Sequence, residues 1–329
     1  MEIGGKMRII YVPQYPTPMR YQEWWMWKLP EEFRKAGYEV LILGEVYAEV
    51  LENKRGGFGM FSPINLSIMF ETEQIRQYML LDIKEDDVLF LSDISFPGLF
   101  CNALYHKECP KMFAFCHATS INRFDYFKSR SYSKFPVESS HSFLFDTVFV
   151  GSEYHQKKLI DTGAKITDKE LYWKNTHVTY LPFPPLQYAK EISKVYNIMS
   201  ASRPTQQKVD LELEEEVAIT FGDIHRPTSR SWDEYYQNLA MSEVLLITAH
   251  EDTFGYQIVD AIVNGCVPLA RNGLAYPELL PKKYLYDSKD ELLEKIHHVL
   301  IGDVAVPKLL CEKQMINFYK TIIEEMEAD

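Results

Sequence analysis

Short apolar runs alternate with helical patterns along the chain. Met7–Val12, Tyr38–Leu43, Val88–Leu91, Lys111–Phe115 and Thr147–Val150 are each apolar and bounded by Gly, Pro, Asp or Ser. Brief, continuous apolarity marks a strand buried on both faces, as in a parallel sheet. Trp24–Lys35 has the spacing of the helix that follows the first strand. The pattern resumes with strands expected at Tyr196–Ser200, Val217–Phe221, Val244–Thr248 and Cys266–Ala270. Helices are expected at Trp232–Met241, Phe254–Asn264 and Lys289–Leu300, and the segment Pro307–Met326 is also helical in pattern. Such alternation predicts an α/β protein with doubly wound parallel sheets. The tract Leu181-Pro-Phe-Pro-Pro-Leu186 cannot lie inside a helix or a central strand, so it reads as a hinge. The expected organisation is a first domain over 1–184 and a second over 185–306. A C-terminal helix over 307–329 completes it.

A length of 329 residues suits two domains, and a chain 46% hydrophobic and 25% charged is expected to fold rather than stay disordered. No apolar run approaches the roughly 18 residues of a membrane span, and the N-terminus has no signal-peptide architecture. Five scattered Cys without CxxC spacing read as reduced thiols, neither a disulfide frame nor a zinc site, and a cytoplasmic setting is expected. A net charge of −12 argues against a protein that coats nucleic acid. The charge is unevenly spread, however. Residues 1–183 carry 21 Lys and Arg against 23 Asp and Glu, a balance of −2, whereas the remainder carries 14 against 24, a balance of −10. The first domain also holds a local basic tract with Arg123, Lys128, Arg130 and Lys134, interleaved with Phe124, Tyr126, Phe127, Tyr132 and Phe135. Cations beside aromatics suit phosphates and unstacked bases. A core helix with charged edges is the plainer reading.

The most informative stretch is Ala249-His-Glu-Asp-Thr-Phe-Gly-Tyr-Gln-Ile-Val-Asp-Ala-Ile-Val-Asn-Gly265, which follows a strand and opens a helix. Gly255 falls in the first turn, where a missing side chain lets a ligand approach free backbone N–H groups, a ready anion site. Asp252 lies just outside and Asp260 eight residues on, roughly 12 Å along the helix. The pair could serve a reacting sugar and a ribose, or be a helix cap and a solvated face. Arg203 and Lys208 lie in a loop after the strand Tyr196–Ser200, where open α/β sheets bind ligands. They suit a diphosphate, or are surface charge.

Together, Asp252-Thr253-Phe254-Gly255, Asp260, Arg203 and Lys208 resemble the donor site of the retaining GT-B glycosyltransferases, in particular glycosyltransferase family 4. Both acidic positions are usually Glu in that family and are Asp here. Gly265-Cys-Val-Pro268 and Leu274-Ala-Tyr-Pro-Glu-Leu-Leu-Pro281 extend the resemblance. That tract looks most like the branch holding the tRNA-queuosine mannosyltransferases and the phage DNA-base glycosyltransferases. The resemblance implies a GT-B fold of two Rossmann-like domains facing a cleft, with the last helix crossing back to the first. A family segment between Lys208 and Val244 is shortened, and base recognition normally falls there.

The resemblance also implies roles. Arg203, Lys208 and the N–H groups near Thr253, Phe254 and Gly255 would hold the diphosphate of a UDP- or GDP-sugar. Asp260 would hold the ribose, and Tyr276 and Glu278 belong to the donor-contacting loop. Asp252 would bind sugar hydroxyls, with His117 contacting the sugar from the opposite lobe. Asp125 would orient or deprotonate the acceptor, or is a turn residue. Asp93, Ser95 and the run Gln14–Arg20 also point toward the cleft by this topology. No metal and no cofactor beyond the nucleotide-sugar are expected, because no DxD pair follows a strand. The expected acceptor is a modified base in nucleic acid, bound through Arg123, Tyr126, Lys128 and Arg130. A 5-hydroxymethylpyrimidine in phage-type DNA comes before queuosine in tRNA. The alternatives are a saccharide or small-molecule acceptor, and an inactive sugar-nucleotide-binding protein. A membrane partner is not expected.

Overall fold

The computed structural model describes residues 7–17, 20–46, 63–94, 110–122, 129, 131–167, 173–185, 192–202, 208–229 and 231–328. Arg123, Asp125, Tyr126, Lys128, Arg130 and Arg203, and with them Ser95, lie outside the described residues.

Two parallel sheets organise the chain. The first contains β1 (Arg8–Val12), β2 (Glu39–Ile42), β3 (Val88–Leu91), β4 (Lys111–Cys116), β5 (Thr147–Val150) and β6 (Thr176–Val178), in the order β2-β1-β3-β4-β5-β6. The second contains β7 (Tyr196–Met199), β8 (Ser242–Ile247), β9 (Val267–Arg271) and β10 (Leu285–Tyr286), in the order β10-β9-β8-β7. Every pairing in both sheets is parallel. Strand residues are buried on both faces. Ile9, Tyr11, Phe90 and Phe115 face one apolar cluster, while Ile10, Val12, Leu89 and Cys116 face another. That double burial is why the strands read as unbroken apolar runs. The first cluster continues into the second domain and the C-terminal helices.

The tail folds as two helices, Glu312–Ile316 and Phe318–Glu327, rather than one. The second returns to the first sheet. Phe318 packs against Trp25 and Phe115, and Tyr38 donates to Glu327 at 2.6 Å.

One expected strand is a helix. Val217–Phe221 is the last part of the helix Leu211–Phe221. The apolar Val-Ala-Ile-Thr-Phe run reads as a strand alone, but Asp210 caps the helix by accepting from the Leu213 N–H. Glu214, inside the acidic run, is fully buried. It accepts from Ser200 at 2.9 Å and Thr248 at 3.1 Å and pairs with Arg226. Part of the second domain's acidity is therefore structural. The carboxylate fastens the C-terminal ends of β7 and β8, from which the two candidate ligand loops depart.

Both sheets change winding direction. In the first, β2 and β3 flank β1. In the second, Met199 of β7 also bridges His225 on the side away from β8. Open α/β sheets bind ligands at such switch points, beyond the carboxyl ends of the strands.

Candidate active site

A cleft of about 740 Å³ runs between the two domains. Its wall from the second domain is built by the loop after β8. Gly255 caps the helix Tyr256–Val263 with φ of +104°, a left-handed conformation that glycine adopts readily. A Cβ there would also stand 2.9 Å from the Tyr276 ring. Space and backbone each demand glycine at this position. Gly255, Tyr256 and Gln257 line the cleft, and their N–H groups precede the first intrahelical acceptors.

Asp252 is held from several sides. Its Oδ1 accepts from the N–H of Thr253 at 2.9 Å and of Phe254 at 3.4 Å. Its Oδ2 meets Lys208 Nζ at 3.1 Å and the Tyr276 hydroxyl at 3.5 Å. Lys208 also donates to the Glu251 carbonyl at 3.1 Å. Two of the three ammonium donors are thus used, and the residue borders the cleft. Ser202, in the loop after β7, donates to the Gln257 side chain at 3.1 Å and ties that loop to the helix start.

Asp260 lines the cleft but is only 6% exposed. Burial pushes its carboxyl up to about 7, against a hydrogen bond from the Tyr235 hydroxyl at 3.1 Å that favours the ionised form. Asp252 and Asp260 therefore differ in kind. The first is anchored by a cation and backbone N–H groups, and the second is almost fully desolvated.

The opposite wall carries His117, beyond the end of β4. Its ring lies 4.2 Å from the Tyr21 ring and 4.8 Å from that of Trp25, with Phe115 beneath. Burial, and secondarily the nearby His155, lowers its pKa to about 3, so the imidazole is neutral. The buried Nε2 has no partner among the described residues. An unpaired ring nitrogen beside a cleft suits a ligand hydroxyl.

The domains touch around this site. Thr253 donates its hydroxyl to the His117 carbonyl at 2.9 Å, and its own carbonyl receives the Ser152 hydroxyl at 2.6 Å. Lys158 pairs with Glu251 at 3.1 Å, and Trp232 donates to Glu23 at 2.8 Å. Phe254 is a buried residue packed edge-on against Tyr256, although it borders the cleft.

The structure thus gathers His117, Lys208, Asp252, Thr253, Phe254, Gly255 and Asp260 around one cleft. Tyr276 stands behind Asp252. Glu278 is placed differently from its expected donor contact. Its carboxylate accepts from the N–H of Glu153 at 2.8 Å and of Tyr154 at 2.7 Å, in the first domain. Burial raises its pKa. Asp93 is buried and accepts from the Gln14 amide at 2.6 Å. Sequence reasoning passed over the aromatic lining of Tyr21, Trp24, Trp232 and Tyr235. The density of aromatics in Trp232–Tyr236 was the available signal. Among the described residues, no group of three or more His, Cys, Asp or Glu could hold a metal ion, and no helix is long and apolar enough to cross a membrane.

No protein-family model matches the chain. Among curated proteins, 80 residues, 24% of this chain, are 32% identical to the tRNA-queuosine alpha-mannosyltransferase of Drosophila melanogaster, and they span 20% of that protein's length. Among solved structures, sucrose-phosphate synthase from Thermosynechococcus elongatus aligns over 98% of this chain and 94% of its own, at 10% identity and a TM-score of 0.64. Anabaena HepE, solved with UDP and glucose, aligns over 97% and 98%, at 11% identity and a TM-score of 0.60. The lipopolysaccharide outer core galactosyltransferase WaaB aligns over 97% and 99%, at 10% identity and a TM-score of 0.57. At these identities the likeness is one of fold. Two Rossmann-like domains facing a cleft, with C-terminal helices returning to the first, give this chain the GT-B architecture.

Proposed function

We propose that the chain is a retaining glycosyltransferase that uses a nucleotide-sugar donor and no metal. One observation carries the reading. Lys208 and Asp252 stand at a glycine-opened helix N-terminus, across the cleft from a neutral imidazole with an unpaired ring nitrogen. The first half suits an anion and the second a hydroxyl. A sugar diphosphate presents both.

The third donor of Lys208 and the N–H groups of the Tyr256–Val263 helix stabilise the diphosphate as charge grows on it. Arg203, five residues before Lys208 in the sequence, is the candidate second cation. Asp260 takes ribose hydroxyls, roughly one and a half turns further along the helix. His117 Nε2 accepts from a sugar hydroxyl on the other wall. The carboxylate of Asp252 is engaged by four donors, which suits a role in positioning and leaves it a poor nucleophile. In the transfer, the bond from the anomeric carbon to the phosphate oxygen breaks. The acceptor oxygen bonds to that carbon on the same face, and its proton passes to the departing phosphate oxygen. The protein's contribution is positioning and electrostatic stabilisation.

For the acceptor we favour a saccharide or a small hydroxylated molecule. The first-domain wall offers Tyr21, Trp24, His117 and Asn122, with Arg20 at its edge. Aromatic faces and neutral hydrogen-bonding groups suit a sugar ring. A nucleic-acid acceptor is the second reading. The 32% identity to a tRNA-queuosine alpha-mannosyltransferase favours it, as do the cations and aromatics of residues 123–135. Incubation with a panel of UDP- and GDP-sugars tests both, followed by mass spectrometry of saccharides, of tRNA nucleosides and of hydroxymethylated DNA nucleosides. A hexose or pentose gained by a saccharide supports the first reading, and one gained only by a nucleoside replaces it with the second. Consumption of no donor sinks the transferase reading.

A further inference from the structure

We propose that Glu278 is a positioning residue that latches the two domains together and thereby sets Thr253 against His117. The inference rests on the proposed function for its kinetic consequence, while its structural part stands independently.

The first turn of the helix Glu153–Thr167 shows how its backbone donors are satisfied. A helix leaves its first N–H groups without intrahelical partners. Here the Glu153 and Tyr154 N–H groups both go to Glu278, which belongs to the other domain. The next, of His155, goes to the Ser152 hydroxyl at 3.1 Å. That same hydroxyl donates to the Thr253 carbonyl at 2.6 Å. Thr253 in turn donates its side chain to the carbonyl of His117. One continuous path therefore runs from Glu278 through the helix start and Ser152 to Thr253 and His117. One turn further on, Lys158 pairs with Glu251, the neighbour of Asp252.

The arrangement is strongly conditional on closure. Opening the cleft strips both N–H groups of their anion at the positive end of a 15-residue helix. It also releases Thr253 on both sides. An ordinary cap from the helix's own domain would survive such a motion. A carboxylate supplied from the opposite domain cannot. Glu278 therefore favours the closed cleft, in which water is excluded and the sugar is gripped from both walls.

The test compares Glu278→Gln with the parent chain. A glutamine of equal size presents one acceptor oxygen in place of two. X-ray scattering in solution is expected to show a larger radius of gyration for the variant. With a donor that the chain uses, kcat is expected to fall roughly 10- to 100-fold while the donor Kd stays within about 2-fold. A purely structural role would lower the melting temperature without splitting the two parameters. Ser152→Ala interrupts the same path, so its effect on kcat combined with Glu278→Gln is expected to be less than additive. Unchanged scattering and unchanged kcat in Glu278→Gln overturn the proposal, as does full additivity of the pair. If the parent chain consumes no donor, the functional reading fails, and the scattering comparison alone decides the latch.

Discussion

Two aspartates eight residues apart acquire opposite characters from their surroundings. Asp252 accepts from Lys208 and from two backbone N–H groups. Asp260 is desolvated, and its carboxyl is pushed up to about 7. Its native pKa thus exceeds the ordinary carboxylate value. Its contribution to stability is complete below the unfolded pKa and is lost as pH rises through about 7. Ribose hydroxyls donate best to the ionised form, so donor affinity runs the other way. Calorimetry from about pH 5.5 to about pH 8 is expected to show donor affinity rising through the neutral range. Asp260→Asn should bind more weakly and flatten that rise. A pH dependence unchanged in the variant would remove Asp260 from ribose binding. His117 adds no step in this window, because its pKa lies near 3.

At the scale of elements, the loop-to-helix junction at Gly255 is the most constrained turn of the site. Its positive φ and the Tyr276 ring under its missing Cβ act independently. Gly255→Ala is expected to cost about 1–3 kcal/mol of stability, read by chemical denaturation, and to weaken donor binding as the first turn shifts. A variant of parent stability would show that the junction relaxes freely. Glu214 performs the matching task beneath the loops by fastening the ends of β7 and β8. These local devices differ in how visible they are along the chain. Asp252-Thr-Phe-Gly255 is legible because its cap, its turn and its helix start lie within a few residues. The role of Glu214 is hidden, because its partners Ser200, Thr248 and Arg226 are fixed by the sheet. The apolar run Val217–Phe221 read as a strand because the cap at Asp210 that makes it helical lies upstream.

At the scale of the whole molecule, the alternation of strands and helices was largely readable. Val88–Leu91, Thr147–Val150 and Lys289–Leu300 have the bounds the apolar pattern indicates. Double burial of parallel strands leaves that mark in any sequence. The contacts that join the domains left none. Ser152 to Thr253, Thr253 to His117 and Glu278 to Glu153 each link residues more than a hundred positions apart. Neither spacing nor composition encodes such pairs. The acidity of the second domain is likewise partly internal, through Glu214, Glu251 and Asp260, and only partly a surface property.

The central claim is that this cleft holds a nucleoside diphosphate between Lys208 and the helix that begins after Gly255. Isothermal titration of UDP and GDP into the parent chain and into Lys208→Ala tests it most directly. One of the two nucleotides is expected to bind the parent chain. Kd is expected to rise at least roughly 10-fold in the variant, as for the loss of one charge-assisted hydrogen bond. Absence of binding by either nucleotide, or equal affinity in Lys208→Ala, would contradict it.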